Sequence, residues 1–129
     1  MTSDFKELED FIEKFTINEN EIVSLMEGFL EERAQRVVAG AKERTPTISG
    51  ELRRAWQVGD VSVDGKDVEV EILNGMEYAS FVEFGATNRD GTWRNGQYIL
   101  TVSINEIQKQ IPLRWQKTFA EFLKSKGVG

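Results

Sequence analysis

The sequence predicts an α+β fold in one domain, and three observations predict it. An apolar stripe at helical spacing runs through residues 18–44. Period-two alternation on both sides of an Asp-Gly pair makes residues 57–73 a β-hairpin. A second helical stripe fills residues 103–125. A small sheet, antiparallel or mixed, is expected from the hairpin plus one or two further strands. The long helix of the N-terminal half and the C-terminal helix would pack it. A chain of 129 residues suits a single domain over 1–129. Such a domain buries roughly two-thirds of its unfolded surface, enough for a core without metal or disulfide.

The elements follow in chain order. Phe5, Leu8, Phe11, Ile12 and Phe15 recur at helical spacing and predict a short helix within 1–17, broken at Thr16-Ile17-Asn18. Asn18 stands three residues before Glu21, the spacing of a capping box. Ile22, Met26, Phe29, Leu30, Ala34, Val37 and Ala41 then form one amphipathic stripe of about seven turns. Arg33, Arg36, Lys42 and Arg44 lie in its second half, where cations favour the negative end of the helix dipole. Pro46 and Gly50 break the chain, because proline disfavours helix at Thr45 and glycine allows a tight turn. Leu52 and Trp56, four apart, predict one short helical turn.

Val58, Val61 and Val63 lead into Asp64-Gly65, a hairpin signal. Val68, Val70 and Ile72 alternate with Asp67, Glu69 and Glu71, so one face of the hairpin is wet and acidic. Asn74-Gly75 ends it. The apolar run from Tyr78 to Gly85 fits period two and helical spacing equally, and a short helix is the preferred reading. Residues 86–96 read as a loop. Gln97 to Val102, rich in β-formers, reads as a strand. Ser103 and Glu106 have capping-box spacing at the start of the last helix, whose stripe is Ile104, Ile107, Ile111, Trp115, Phe119 and Phe122. Pro112 must kink that helix or begin a second one, since it has no N–H and clashes with the carbonyl four residues back.

Composition removes whole classes of chemistry. There is no His and no Cys. Ser-His-Asp and Cys-His nucleophilic sites are therefore impossible, as are Cys/His zinc sites, haem held by His or Cys, and thiol redox chemistry. A carboxylate, Lys or Tyr mechanism stays open. The net charge of −6 argues against a generic nucleic-acid binder. No apolar run exceeds three residues, so no membrane span is expected. Met1-Thr2-Ser3-Asp4 lacks the layout of a signal peptide, and a cytosolic compartment is expected. The charge is unevenly spread. Residues 57–86 carry seven acids and one base, and residues 87–129 carry three acids and seven bases. Opposite faces of this kind suit head-to-tail contacts between copies.

Candidate functional residues are few. Asp60, Asp64, Asp67, Glu69 and Glu71 lack the calcium-loop pattern and read as a solvated strand face, so no metal and no cofactor are expected. Glu83, between Val82 and Phe84, is a candidate acid, but no second carboxylate pairs with it; a structural partner is the preferred reading. Arg53, Arg54 and Trp56 could stack on and grip nucleic acid, which makes a nucleic-acid-associated regulator the alternative function. Trp93 and Trp115 read as core or interface anchors.

Two segments carry a family resemblance. Ala41-Lys42-x-x-Thr45-Pro46-x-x-Ser49-Gly50-x-Leu52-Arg53-x-Ala55-Trp56 resembles the AK…P…TGxLRxS segment of a phage tail-component family, with Ser49 in place of the usual Thr. Tyr78-Ala79-x-Phe81-Val82-Glu83-Phe84-Gly85 resembles that family's YAxYVEFG segment. Gly96-Gln97-Tyr98-Ile99-Leu100-Thr101 resembles the GxFML run of its Gram-positive phage and prophage branch. The resemblance spans about residues 20 to 124.

The resemblance implies a non-enzymatic virion protein for head–tail joining or tail completion. It implies a homo-oligomeric ring, hexameric, at the top of the tail. Connector, tail-terminator or tail-tube proteins would be its neighbours, DNA would meet it only as passing genome, and no membrane would be involved. The family fold is α+β. Pro46, Gly50, Leu52, Arg53, Tyr78, Phe81, Glu83 and Gly85 would then be structural or assembly residues. Gly50 and Gly85 would permit tight turns, Tyr78 and Phe81 would pack on the sheet, and Glu83 would pair with Arg53 or with the backbone.

Overall fold

The computed structural model describes residues 19–46, 50–65 and 67–127. The helix expected within 1–17 and the Asn18 cap lie outside the described residues. Helix α1 (Glu19–Arg44) follows the apolar stripe. Its two halves do different work. Ala34, Val37, Val38 and Ala41 are buried against the sheet side and the next long helix, while Ile22, Met26, Phe29 and Leu30 are half-buried. Acidic Glu19 and Glu21 sit in the first turn and basic Lys42 and Arg44 in the last, as the helix dipole favours. Arg33 and Arg36 instead clasp Glu32, at 2.6 Å each, and Arg33 is buried along the helix.

After the Pro46 break, α2 (Glu51–Arg54) is the single short turn expected, entered from Gly50 at φ 77°. Strands β1 (Trp56–Asp64) and β2 (Asp67–Asn74) then pair antiparallel about Gly65. The valine spacing in β1 has a structural cause. Val58 pairs with Ile72 but Val61 pairs with Val70, so a β-bulge at Gly59-Asp60 absorbs one residue and returns Val61 to the inner face. In β2 exposure alternates strictly, with Asp67, Glu69 and Glu71 outward and Val68, Val70 and Ile72 toward α1.

The Tyr78–Gly85 run forms helix α3 (Ala79–Phe84), in agreement with the helical reading. Three expectations beyond it are corrected. Residues 86–96 are more than a loop: β3 (Gly85–Thr87) and β4 (Trp93–Asn95) pair antiparallel as a second small sheet, separate from the first. Gln97–Val102 is not a strand, because helix α4 (Ile99–Gln108) begins at Ile99. Ser103 is not a helix cap. It lies inside α4, 1 % exposed, where its hydroxyl donates back to the Ile99 carbonyl at 2.7 Å. Pro112 takes the second of its two options and stands in the first turn of α5 (Ile111–Ser125), where its missing N–H costs nothing.

The core lies where α1, the hairpin and α4 meet. Val38, Ala41, Trp56 and Ile99 form its buried centre, with Val58, Ile72, Val82 and Leu100 packed around it. Arg44 fastens α1 to α4 by donating to Ser103 Oγ at 3.0 Å and pairing with Glu106. The C-terminal helix therefore packs on α1 more than on the sheet. Helix α5 joins the other half of α1 through a half-buried aromatic ladder. Phe29 meets Trp115 edge-on at 5.2 Å, and Trp115, Phe119 and Phe122 continue it along one face. Lys126 pairs with Glu21 at 2.7 Å.

Candidate functional site

Local chemistry places the first motif. Thr45 ends α1 by donating its hydroxyl to the Ala41 carbonyl at 2.6 Å, and Thr45 Oγ1 in turn accepts Trp56 Nε1–H at 2.8 Å. Both residues are buried, so this two-bond chain satisfies an indole donor inside the core. Arg53 reaches back across the turn and donates Nε–H to the Lys42 carbonyl at 2.7 Å. That carbonyl lacks an i+4 helical donor, because position 46 is a proline, and it also accepts Thr45 N–H at 3.3 Å. Asn74 closes the other side, donating to the Leu52 carbonyl at 2.9 Å and accepting from Met76 N–H at 3.0 Å.

The second motif is organised by Glu83. Its carboxylate is 5 % exposed. Oε1 accepts Leu100 N–H at 2.7 Å, and Oε2 accepts Thr101 N–H at 2.9 Å and the Thr101 hydroxyl at 2.8 Å. These N–H groups belong to the first turn of α4, whose own N-cap position holds Tyr98 with no capping side chain. Glu83 thus supplies the cap from another helix, and its negative charge sits at the positive end of the α4 dipole. The backbone adds two bonds at the same joint, from Gln97 N–H to the Val82 carbonyl at 2.7 Å and from Tyr98 N–H to the Glu83 carbonyl at 3.1 Å. Two glycines let the chains come this close. Gly85 has φ 99° and ψ 171°, and a Cβ there would lie 2.6 Å from the Arg94 carbonyl. A Cβ on Gly96 would overlap the Glu83 and Phe84 backbone.

The expected Glu83–Arg53 pairing is corrected by this geometry. Each partner is used elsewhere, Glu83 on the α4 amides and Arg53 on the α1 carbonyl. The backbone alternative for Glu83 holds. The candidate-acid reading fails as well, since both carboxylate oxygens are engaged, the group is buried, and it does not line the neighbouring cleft. The nucleic-acid grip fails at Trp56, which is 6 % exposed in the core and has no free face for a base. Among the described residues no group of three or more acidic side chains sits where it could hold a metal ion.

Five of the eight motif residues converge on one cleft of about 350 Å³. Pro46, Gly50 and Leu52 come from the first motif, Tyr78 and Phe81 from the second, and Arg94 and Asn95 form part of a polar rim. Tyr78 and Phe81 therefore face this cleft and solvent in place of packing on the hairpin. Arg53, Glu83 and Gly85 stand behind it as supports. Sequence reasoning missed Asn74, Thr101 and Gly96. Asn74 showed only as a turn signal, and Thr101 and Gly96 lay in segments read as strand and loop.

The cleft and its supports are thus made by two motifs on one buttressed unit. The family model described as "Bacteriophage HK97-gp10, putative tail-component" matches residues 6–85. The chain belongs to this phage tail-component family. Both motif segments fall within the matched span, and the Gly96–Thr101 stretch lies beyond it. No curated protein and no solved structure matches the chain. The family identifies a structural tail protein and so a virion component. No helix among the described residues is long and apolar enough to cross a membrane.

Proposed function

We propose that the chain is a head–tail joining, or tail-completion, protein that works as a ring at the top of a phage or phage-like tail and has no enzymatic activity. One observation carries this reading: the family match covers both motifs, and in the fold those motifs build one braced surface. The neighbours on this reading are connector, terminator or tube proteins, and the ring is built of copies of this chain.

Electron microscopy of particles produced without this protein tests the proposal. Separate heads and tails are the expected result. Joined, complete particles would reject a neck role.

A further inference from the structure

A tail-component domain of this size should cover its aromatic residues, yet one side does not. Phe84 and Trp93 are each 61 % exposed, Phe81 53 % and Tyr98 47 %. They are neighbours in space as well as in character. Phe84 and Tyr98 meet edge-on at 6.4 Å, the Trp93 ring lies against Gly85, and Phe81 lines the motif cleft beside Arg94. Val102, one turn along α4 from Tyr98, extends the patch and is also exposed. Large contiguous apolar exposure on a small domain marks an interaction surface. Phe84 and Tyr98 stand on either side of the Glu83 joint, where Tyr98 N–H donates to the Glu83 carbonyl at 3.1 Å, and a surface held by backbone bonds loses less freedom on binding.

We propose that this aromatic patch docks the outer face of the β1–β2 hairpin of a second copy of the chain, head to tail. The inference rests on the ring reading above and names the two surfaces that would form the ring. Charge chooses the occupant. Arg89 and Arg94 are exposed on the β3–β4 hairpin that carries Trp93, and Arg94 lines the cleft with Phe81. The nearby Asp90 is turned onto Thr92, accepting from its N–H at 2.9 Å and its hydroxyl at 2.6 Å. The outer face of β2 offers the complement: Asp67, Glu69 and Glu71 in a row, ending in Leu73, an apolar side chain 42 % exposed among acids. A patch-to-patch two-fold dimer would set Arg89 and Arg94 against their own copies, and like charges across an interface are costly. A patch-to-hairpin contact is heterologous, which is the kind that closes into rings or runs on as filaments.

Sedimentation of the whole chain over a wide concentration range tests this. Self-association that weakens as salt rises is expected. Trp93→Ala weakens it about thirty-fold, the effect of losing one central aromatic anchor. Arg94→Glu weakens it, and so does the pair Glu69→Arg with Glu71→Arg. Combining all three reversals in one chain restores association, because the two faces again carry opposite charge. All these positions are exposed, so unchanged circular dichroism and melting serve as the folding control. A chain that stays monomeric at every concentration overturns the proposal. So does loss of association with Trp93→Ala while the combined reversal fails to restore it, or binding of a single-stranded oligonucleotide by this face in place of a second copy. The two readings separate cleanly. Unjoined particles with a monomeric chain keep the neck role and reject this surface, whereas an associating chain whose loss leaves particles joined keeps the surface and rejects the neck role.

Discussion

Replacing Glu83 tests the central joint of the structure. In Glu83→Ala, the Leu100 and Thr101 amides and the Thr101 hydroxyl all lose their acceptor inside the protein. Hydrogen bonds to a charged group contribute about 1.5–3 kcal/mol each, and bonds sharing one acceptor do not sum fully. The α4 dipole also loses its countercharge, worth about 0.3–1 kcal/mol or somewhat more when partly buried. Together these give a loss of about 4 kcal/mol. At about 4 °C per kcal/mol for a domain near this size, Tm falls by about 15 °C. Glu83→Gln keeps one acceptor but turns an NH2 donor toward a backbone N–H, so about 2 kcal/mol and about 8 °C are lost. Thr101→Val removes only the hydroxyl bond and costs about 1 kcal/mol. Thermal unfolding followed by circular dichroism reads all three. A Glu83→Ala protein within about 3 °C of the parent, or a Gln variant equal to it, would refute the capping argument.

Three further predictions use other parts of the fold. Gly85→Ala lowers stability by about 3 kcal/mol or more, from the positive φ and the clash with the Arg94 carbonyl, while Gly75→Ala, with open space around it, stays within about 0.5 kcal/mol. Denaturant titration of the two compares them directly. Trp56→Phe removes the donor to Thr45 and part of the core filling, and a loss of about 1–2 kcal/mol by the same method is expected. Asp90 titrates below its ordinary value of 3.8, because the Thr92 hydroxyl and backbone N–H hold its charged form. A lowered folded value means the contribution is present above the ordinary value and fades as pH falls through the lowered one. Carboxyl NMR should show this low midpoint, and Thr92→Val should move it back up.

Much of the fold was legible because it follows local rules. The α1 stripe, the α2 turn, the Asp64-Gly65 hairpin and the α5 start at Pro112 are each encoded within a few residues. What failed was long-range. Gln97–Val102 carries Tyr, Ile, Leu, Thr and Val, a strand composition, and its helix has no local Ser, Thr, Asp or Asn cap to announce it. The cap is a carboxylate on Glu83, 17 residues before Leu100. The same distance hid the site. Glu83 is legible as a carboxylate in apolar company that needs a partner, but that partner is an amide pair in a helix that local pattern does not show. Arg53 was misplaced for the converse reason, since its acceptor is a backbone carbonyl that any residue at position 42 would offer. The β3 and β4 strands are three residues each, too short for period two to register.

The joint between α3 and α4 has a topological consequence. Residues 84–96 leave at Glu83 and return at Gln97, and both ends are tied at one point of the structure. They form a closed loop of chain whose base belongs to the core and whose tip does not. The entropy of closing such a loop grows only with the logarithm of its length, about 0.6 kcal/mol for each doubling. The outward reach of the Asn88–Thr92 tip can therefore lengthen or shorten at little thermodynamic cost, provided Gly85 and Gly96 keep the base shut. This gives the fold a place to change whom it touches while the rest of its architecture is held constant.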